Sequence, residues 1–436
     1  MVLLAALGPL IATSSHPGRT PATGAGHSVP ARGAHAHAAT PLRSSGLASA
    51  AGRVFADPRL AAVLEHALAG AGPQSGAVVY DLGAQQTLFA RRAGVMRPPA
   101  SVEKLYTTVA LLRVLGPSAR LHTDVLGRGH QRGAVWHGDL YLRGGGDPTF
   151  GDAGFDRGVG ATVQTLVAQI AARGIHRVTG RVYGDESLFD ARRGGLLTHY
   201  AMDTPDFGGQ LSALGFNHGS ALRRLGPARF AVKQFVLDLG AAGVTASGAS
   251  KLTVTPSGTA SLASVSSPPL SAMTRLMDVP SDDLFAELFT KQLGVLFGSG
   301  GTIADGAQVI RGTISAAFGL HPVILDGSGL SRDDRSSPAE IVDLLRDVWR
   351  TPVGRGLAAS LPTVGVEGTV QYLGLKTAAR GRCIAKTGTL DGVTNLAGYC
   401  RTRAGRDVAF ALMVDGPSNA AAIPLESRMI GAIARY

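Results

Sequence analysis

Lysine is nearly absent from a chain that is otherwise strongly basic. Six lysines stand beside 36 arginines and 31 acidic residues among 436, for a formal charge of +11. The cationic surplus is scattered: no Arg/Lys run exceeds two residues, and aromatic side chains make up only 6%. Without a clustered basic stripe or a stacking platform, nucleic acid is not expected as a partner. Cysteine is scarcer still. Cys383 and Cys400 are the whole complement, and two cysteines at that spacing support no zinc site. No Gly-Lys dipeptide occurs, which excludes a Walker phosphate loop, and His-Glu-x-x-His is absent. No internal repeat is visible, and nothing calls for a metal or cofactor.

What is present is apolar material, 45% of residues, enough for two or three hydrophobic cores. Met1 to Ala12 is an apolar run of signal-peptide length that lacks the usual preceding basic residues. Export is the expectation, and the run is too short to span a bilayer. Thr13 to Arg53 is rich in Ala, Gly, Pro, Ser and His without apolar periodicity and reads as a flexible tether. His16, His27, His35 and His37 fall in it at irregular spacing, which suits a solvated linker better than a metal site.

Beyond this export segment and linker (1–54), Asp57-Pro58 opens a helix over Arg59 to Ala69. Gly76 to Asp81 and Gln86 to Arg91 read as a hairpin. Pro98-Pro99-Ala100 stops the chain, and helical periodicity then runs from Val102 to Leu115, so that Ser101 begins a helix. Residues 121–270 differ: Gly-rich turns, β-prone segments at Asp139 to Leu142, Arg177 to Tyr183, Phe230 to Leu237 and Leu252 to Val254, and one clear helix, Gly160 to Arg173. They read as a β-rich inserted domain between 55–120 and 271–436. Helices are expected from Ser281 through Leu293, and at Ile303 to Phe318, Pro338 to Trp349 and Asn419 to Ala434. Strands are expected at Arg382 to Thr387, Val393 to Arg401 and Val408 to Val414. Two early and three late strands can close into one antiparallel sheet with helices on its faces, an α+β architecture. Cys383 and Cys400 lie eight residues either side of the turn dipeptide Asp391-Gly392. They can face each other across two strands as a disulfide, or remain buried thiols.

Two of the six lysines fall in Ser101-Val102-Glu103-Lys104 and Lys386-Thr387-Gly388-Thr389. Ser-x-x-Lys alone is commonplace; followed by Lys-Thr-Gly it is a specific pair. On a helix, residues three apart share a face, so the Lys104 amine can reach the Ser101 hydroxyl. A lysine acts as a base only when neutral, and burial beside a second cation, for which Lys386 is the candidate, favours that state. The strand bearing Lys386, Thr387, Gly388 and Thr389 suits an extended peptide. Its edge can pair with substrate backbone, Gly388 permits close approach, and the hydroxyls with Lys386 can bind a terminal carboxylate. The N–H groups of Ser101 and Thr389 can form an oxyanion hole. Acyl transfer is the reaction class.

The order Ser-x-x-Lys, Ser281-Asp282-Asp283, Lys-Thr-Gly resembles the penicillin-binding proteins and serine β-lactamases. The long gap between Ser101 and Ser281 is similar to the class C low-molecular-mass penicillin-binding proteins, D-alanyl-D-alanine carboxypeptidases and endopeptidases with an interrupted catalytic domain. Gly145-Gly146-Asp147-Pro148, Gly184 to Asp190 and Asp326-Gly327-Ser328-Gly329-Leu330-Ser331-Arg332 resemble that branch too, and the likeness covers residues 55 to 436. The resemblance implies a penicillin-binding/serine β-lactamase-like fold. It implies Ser101 as the acylated nucleophile and Lys104 as its proton acceptor. Ser281 and Asp283 would relay protons and hold the substrate amide, and Lys386, Thr387 and Thr389 would bind its carboxylate. Peptidoglycan stem peptides and β-lactams are the implied ligands. Where the family usually has asparagine, this chain has Asp283, and a second usual asparagine is replaced at Asp334. An ionised carboxylate cannot donate to a carbonyl, and beside Lys104 it favours the protonated amine. Two competing readings are a catalytically weak wall-binding scaffold, with Asp283 as its mark, and a β-lactamase, for which no second base is evident.

Overall fold

Asp57 accepts hydrogen bonds from the amides of Arg59 and Leu60, and Pro58 at the first helical position needs no donor partner. In the computed structural model this cap starts α1 (Pro58–Ala69). The structure describes residues 57–436 apart from 203–206, 222–224 and 249–250. The export segment, the tether and its four histidines lie outside the described residues.

The hairpin of β1 (Gly76–Asp81) and β2 (Gln86–Arg91) joins three late strands, β8 (Cys383–Leu390), β9 (Val393–Arg401) and β10 (Asp407–Asp415). Their order is β2-β1-β10-β9-β8, antiparallel throughout. Strand β10 reads as a continuous apolar run because both faces of the sheet are covered. Val408, Phe410, Leu412 and Val414 pack with Leu64 and Leu68 of α1 and Met429 and Ile433 of α10 (Asn419–Arg435). Ala409, Ala411 and Met413 face the opposite core. That core is built from α2 (Lys104–Val114), α5 (Leu270–Asp278), α6 (Asp283–Phe297), α7 (Ile303–Phe318), α8 (Pro338–Val348) and α9 (Pro352–Ser360). Asp391-Gly392 makes the two-residue turn between β8 and β9, with Gly392 at φ +73°. The turn sets Cys383 directly opposite Cys400, and a disulfide joins them on the face covered by α1 and α10. Of the two open alternatives for these cysteines, the bridge is the one found.

Residues 122–266 carry a second sheet, ordered β6-β5-β4-β3-β7, from β3 (His122–Arg132), β4 (Val135–Gly144), β5 (Arg177–Asp185), β6 (Thr245–Gly248) and β7 (Ala260–Ser266). Helices α3 (Val163–Ala172) and α4 (Pro227–Ala241) share its core. Helix α4 corrects the strand expected at Phe230 to Leu237. Its buried residues Ala228, Ala231, Val232, Phe235 and Leu239 recur at helical spacing, and Pro227 sits at its first turn. Leu252 to Val254 forms no strand either.

This region reaches the catalytic-side helices through specific polar contacts. Lys291 of α6 pairs with Asp190, and His218 Nε2 lies 2.7 Å from Oδ2 of Asp282, the cap of α6, while Glu186 pairs with Arg193 within the region itself. Asp190, at the end of the segment Gly184 to Asp190, therefore braces α6.

Candidate active site

Ser101 lies in a 3₁₀ turn, Ala100–Glu103, and α2 begins only at Lys104. The expectation that Ser101 starts the α-helix is corrected by one turn. The change aids alignment, because residues i and i+3 eclipse in a 3₁₀ turn, and Lys104 Nζ stands 3.1 Å from Ser101 Oγ. The turn is clamped from both sides. Asn395 Nδ2 donates to the carbonyls of Pro98 and Pro99 at 3.0 and 2.9 Å. A Cβ at position 388 would lie 2.4 Å from the Pro99 carbonyl oxygen. Gly388 therefore admits the nucleophile turn against β8, not the substrate backbone as its sequence context implied.

Lys104 is fully buried. Besides Ser101, its amine meets Asp283 Oδ1 at 2.5 Å and the Ser328 carbonyl at 2.7 Å. An ammonium would donate to all three. A neutral amine would donate to Asp283 and Ser328 and turn its lone pair to the Ser101 hydroxyl. The three-point cradle thus accommodates the amine before and after it takes a proton.

Lys386, also fully buried, donates to Ser281 Oγ at 2.7 Å and to the Thr387 carbonyl at 3.0 Å. Burial first, then the charge of Lys104, lowers its amine to about 7, against the opposing pull of Asp278 and Asp283. Ser281 holds φ +64° in the turn between α5 and α6, a conformation disfavoured for a side chain that carries a Cβ. Asp283 is the first residue of α6, capped by Asp282. Thr387 Oγ1 bonds Thr369 Oγ1 at 2.8 Å, and Thr389 is exposed at the same strand edge. Strand β8 is the last in the sheet, so among the described residues its outer edge near these positions has no strand partner. Ser101, Ser281, Thr387 and Thr389 line one cleft of about 400 Å³. The structure brings all the sequence-expected residues together there, Lys104, Asp283 and Lys386 lying directly behind the lining.

Of the supporting residues, Asp278 and Glu287 had no sequence signal, whereas the resemblance singled out Asp334 and the segment that starts at Asp326. Asp278 accepts from Thr108 at 2.9 Å and Ser360 at 2.6 Å, and burial pushes its carboxyl up to about 6. Glu287 Oε1 accepts from the amides of Gly327 and Ser328 at 3.1 and 2.9 Å, and burial pushes it up to about 8. Asp326 accepts from Gly329 and Ser331. Asp326 to Gly329 thereby forms a fixed loop that offers the Ser328 carbonyl to Lys104. Gly329, at φ +80°, leaves the room that a Cβ would take 2.0 Å from the Ala100 carbonyl oxygen. Asp334 sits beside Asp326, and burial, then Asp326 and Glu103, raise it to about 11. A protonated Asp334 donates to Asp326 as an amide would, which accounts for an acid at this usual asparagine position.

A five-stranded antiparallel sheet between helical layers, with Ser-x-x-Lys opposite Lys-Thr-Gly across a cleft, defines the penicillin-binding/serine β-lactamase class of fold. The chain belongs to the D-Ala-D-Ala carboxypeptidase 3 (S13) family, whose model matches residues 59–219 and 206–436. It is 29% identical to the D-alanyl-D-alanine carboxypeptidase of Actinomadura sp., over 90% of this chain and 87% of that one. It is 32% identical to carboxypeptidase DacB of Mycolicibacterium smegmatis, over 88% and 84%. Among solved structures, penicillin binding protein 4 (dacB) from Haemophilus influenzae superposes with a TM-score of 0.73 at 19% identity, over 86% of this chain and 99% of that one. That last likeness is one of fold.

Proposed function

We propose that the protein is a serine D-alanyl-D-alanine carboxypeptidase/endopeptidase that acts on peptidoglycan stem peptides through an acyl-enzyme at Ser101. The observation that carries this is the Lys104 amine held 3.1 Å from Ser101 Oγ by Asp283 and the Ser328 carbonyl. Lys104 takes the Ser101 proton as Oγ attacks the carbonyl of the peptide's penultimate residue. The N–H groups of Ser101 and Thr389 receive the oxyanion. Lys386, Thr387 and Thr389 hold the terminal carboxylate. Ser281, bonded to Lys386, passes a proton to the departing amine as the C–N bond breaks, and water then hydrolyses the ester. β-Lactams would acylate the same oxygen. Residues 121–270 are read as an inserted domain between the two parts of the catalytic domain, 55–120 and 271–436. The protein is read as exported to the cell envelope, where its substrate lies. No helix among the described residues is long and apolar enough to cross a membrane.

The test is intact-protein mass after incubation with benzylpenicillin, for wild type and Ser101→Ala in parallel. One penicilloyl group on the wild type alone is expected. No adduct and no drug hydrolysis would reject the acyl-serine reading in favour of a scaffold.

Asp283 sets a second expectation. Its carboxylate, 2.5 Å from Lys104, cannot donate to a substrate carbonyl as an amide can. Asp283→Asn is expected to raise the acylation rate about tenfold, the order of one added hydrogen bond. Stopped-flow acylation measures it. An unchanged rate would show that the carboxylate does not limit acylation.

A further inference from the structure

One buried acid in the cleft has no part in the chemistry above. Glu426, on α10, is 2% exposed and lines the same cleft as Ser101 and Thr387. Its Oε1 has no hydrogen-bond partner, and among the described residues no cation forms a salt bridge with it. Burial alone pushes its carboxyl up to about 8, with no neighbouring charge opposing it. An isolated carboxyl in such a place is costly unless something brought from outside answers it.

The surroundings say what that could be. Tyr372 and Ile423 stand 80% and 47% exposed at the cleft, large apolar side chains that a folded protein usually covers, and the buried Leu373 lines it with them. Thr369 and Thr387, joined through their hydroxyls, form the polar side. Apolar walls above a lone carboxyl match a short alkyl chain ending in a primary ammonium. The methylenes would cover the exposed apolar surface, and the ammonium would supply the missing charge partner.

We propose that Glu426 is the floor of a specificity subsite that receives an alkyl-ammonium side chain carried by the leaving residue of the substrate. The placement rests on the reading above, in which Lys386 and Thr387 hold the carboxylate of that residue: its side chain then lies beside Thr387, where these walls begin. Glu426 is a binding group here and does not touch the bond that breaks.

The experiment compares two N-acylated peptides, one ending in D-Ala-D-Lys and the other in D-Ala-D-Lys with its side-chain nitrogen acetylated. The wild type is expected to favour the free amine by about tenfold or more in kcat/KM, since a site built around a polar group rejects ligands that leave it unpaired. Glu426→Gln, checked for folding by thermal melting, is expected to bring the ratio close to one. Ile423→Lys, at an exposed position, places a competing cation in the cleft and is expected to do the same. Equilibrium binding of the two peptides to Ser101→Ala repeats the comparison without turnover. Failure of the acyl-serine reading would show as absence of the penicillin adduct in the wild type, whatever the binding ratio. A ratio near or below one in the wild type, or a preference that survives both substitutions, would overturn the subsite.

Discussion

Lys104→Met is expected to slow acylation of Ser101 by benzylpenicillin about 10²–10⁴-fold, the span that a positioned general base contributes. Methionine approximates the volume of the buried stem, so the packing of α2 is largely kept. The Ser101 hydroxyl loses the amine that stands 3.1 Å from it. Lys104→Arg makes the complementary case. A guanidinium can still face Asp283 and the Ser328 carbonyl, yet it is never neutral near physiological pH. It is therefore expected to be as slow as the methionine variant. Acylation rates from a fluorescent penicillin, with melting temperatures as a fold check, measure both. If the methionine variant stayed within tenfold of wild type, the base would have to be elsewhere. The candidate would be Lys386 acting through Ser281, since burial and the Lys104 charge already lower Lys386 to about 7.

The parts of this molecule that were legible in its sequence are those where local pattern and tertiary environment agree. The hairpin at Gly76 to Arg91 and the helix Ile303 to Phe318 have the bounds read from turn residues and periodicity. Helix α4 was misread because aromatic and β-branched residues at 230–237 look like a strand over eight positions. Its longer helical spacing from Ala228 to Leu239 outweighs them. Helices α5 and α9 were missed altogether, though α5 supplies Asp278 and α9 supplies Ser360 to one hydrogen-bonded pair. At the site, Ser101, Lys104, Ser281, Asp283 and Lys386 were legible because their chemistry requires particular residues in a particular order. Glu103, Glu287 and Glu426 were not. An acid reads from sequence as a solvated surface residue, and only distant chain segments make it a buried one. Gly388 shows an intermediate case. The need for closeness was legible, but the partner, the Pro99 carbonyl, lies 289 positions away in the chain, at the clamp formed with Asn395.

Those buried acids give the second large expectation: the protein should be more stable at pH 5 than at pH 8.5. Burial is the leading cause in each case. Glu287 and Glu426 are raised to about 8, and Asp147 and Asp278 to about 6. Glu103, fully buried with neither oxygen bonded, is raised well above its ordinary value. A carboxyl raised in the folded state binds its proton more tightly there than in the unfolded chain. Its contribution is fully present below the unfolded value near 4, and it is lost as pH rises through the folded value. For one carboxyl raised to about 8 the loss is of order 5 kcal/mol at most, comparable with the whole stability of many domains. The losses do not sum, because Glu103, Glu287, Asp326 and Asp334 are close enough for the charge on one to oppose ionisation of the next. Lys386 works in the opposite direction. Lowered to about 7, it restores stability as pH climbs from there toward its unfolded value, a single group against several. A fall in Tm of about 10 °C between pH 5 and pH 8.5 is expected by differential scanning calorimetry. Glu287→Gln should flatten that slope, because an amide can keep the bonds from Gly327 and Ser328 without titrating. A Tm that is level or rises over this range would mean that these carboxyls are ionised where they lie. The loop that presents the Ser328 carbonyl to Lys104 would then be held by charge instead of by shared protons.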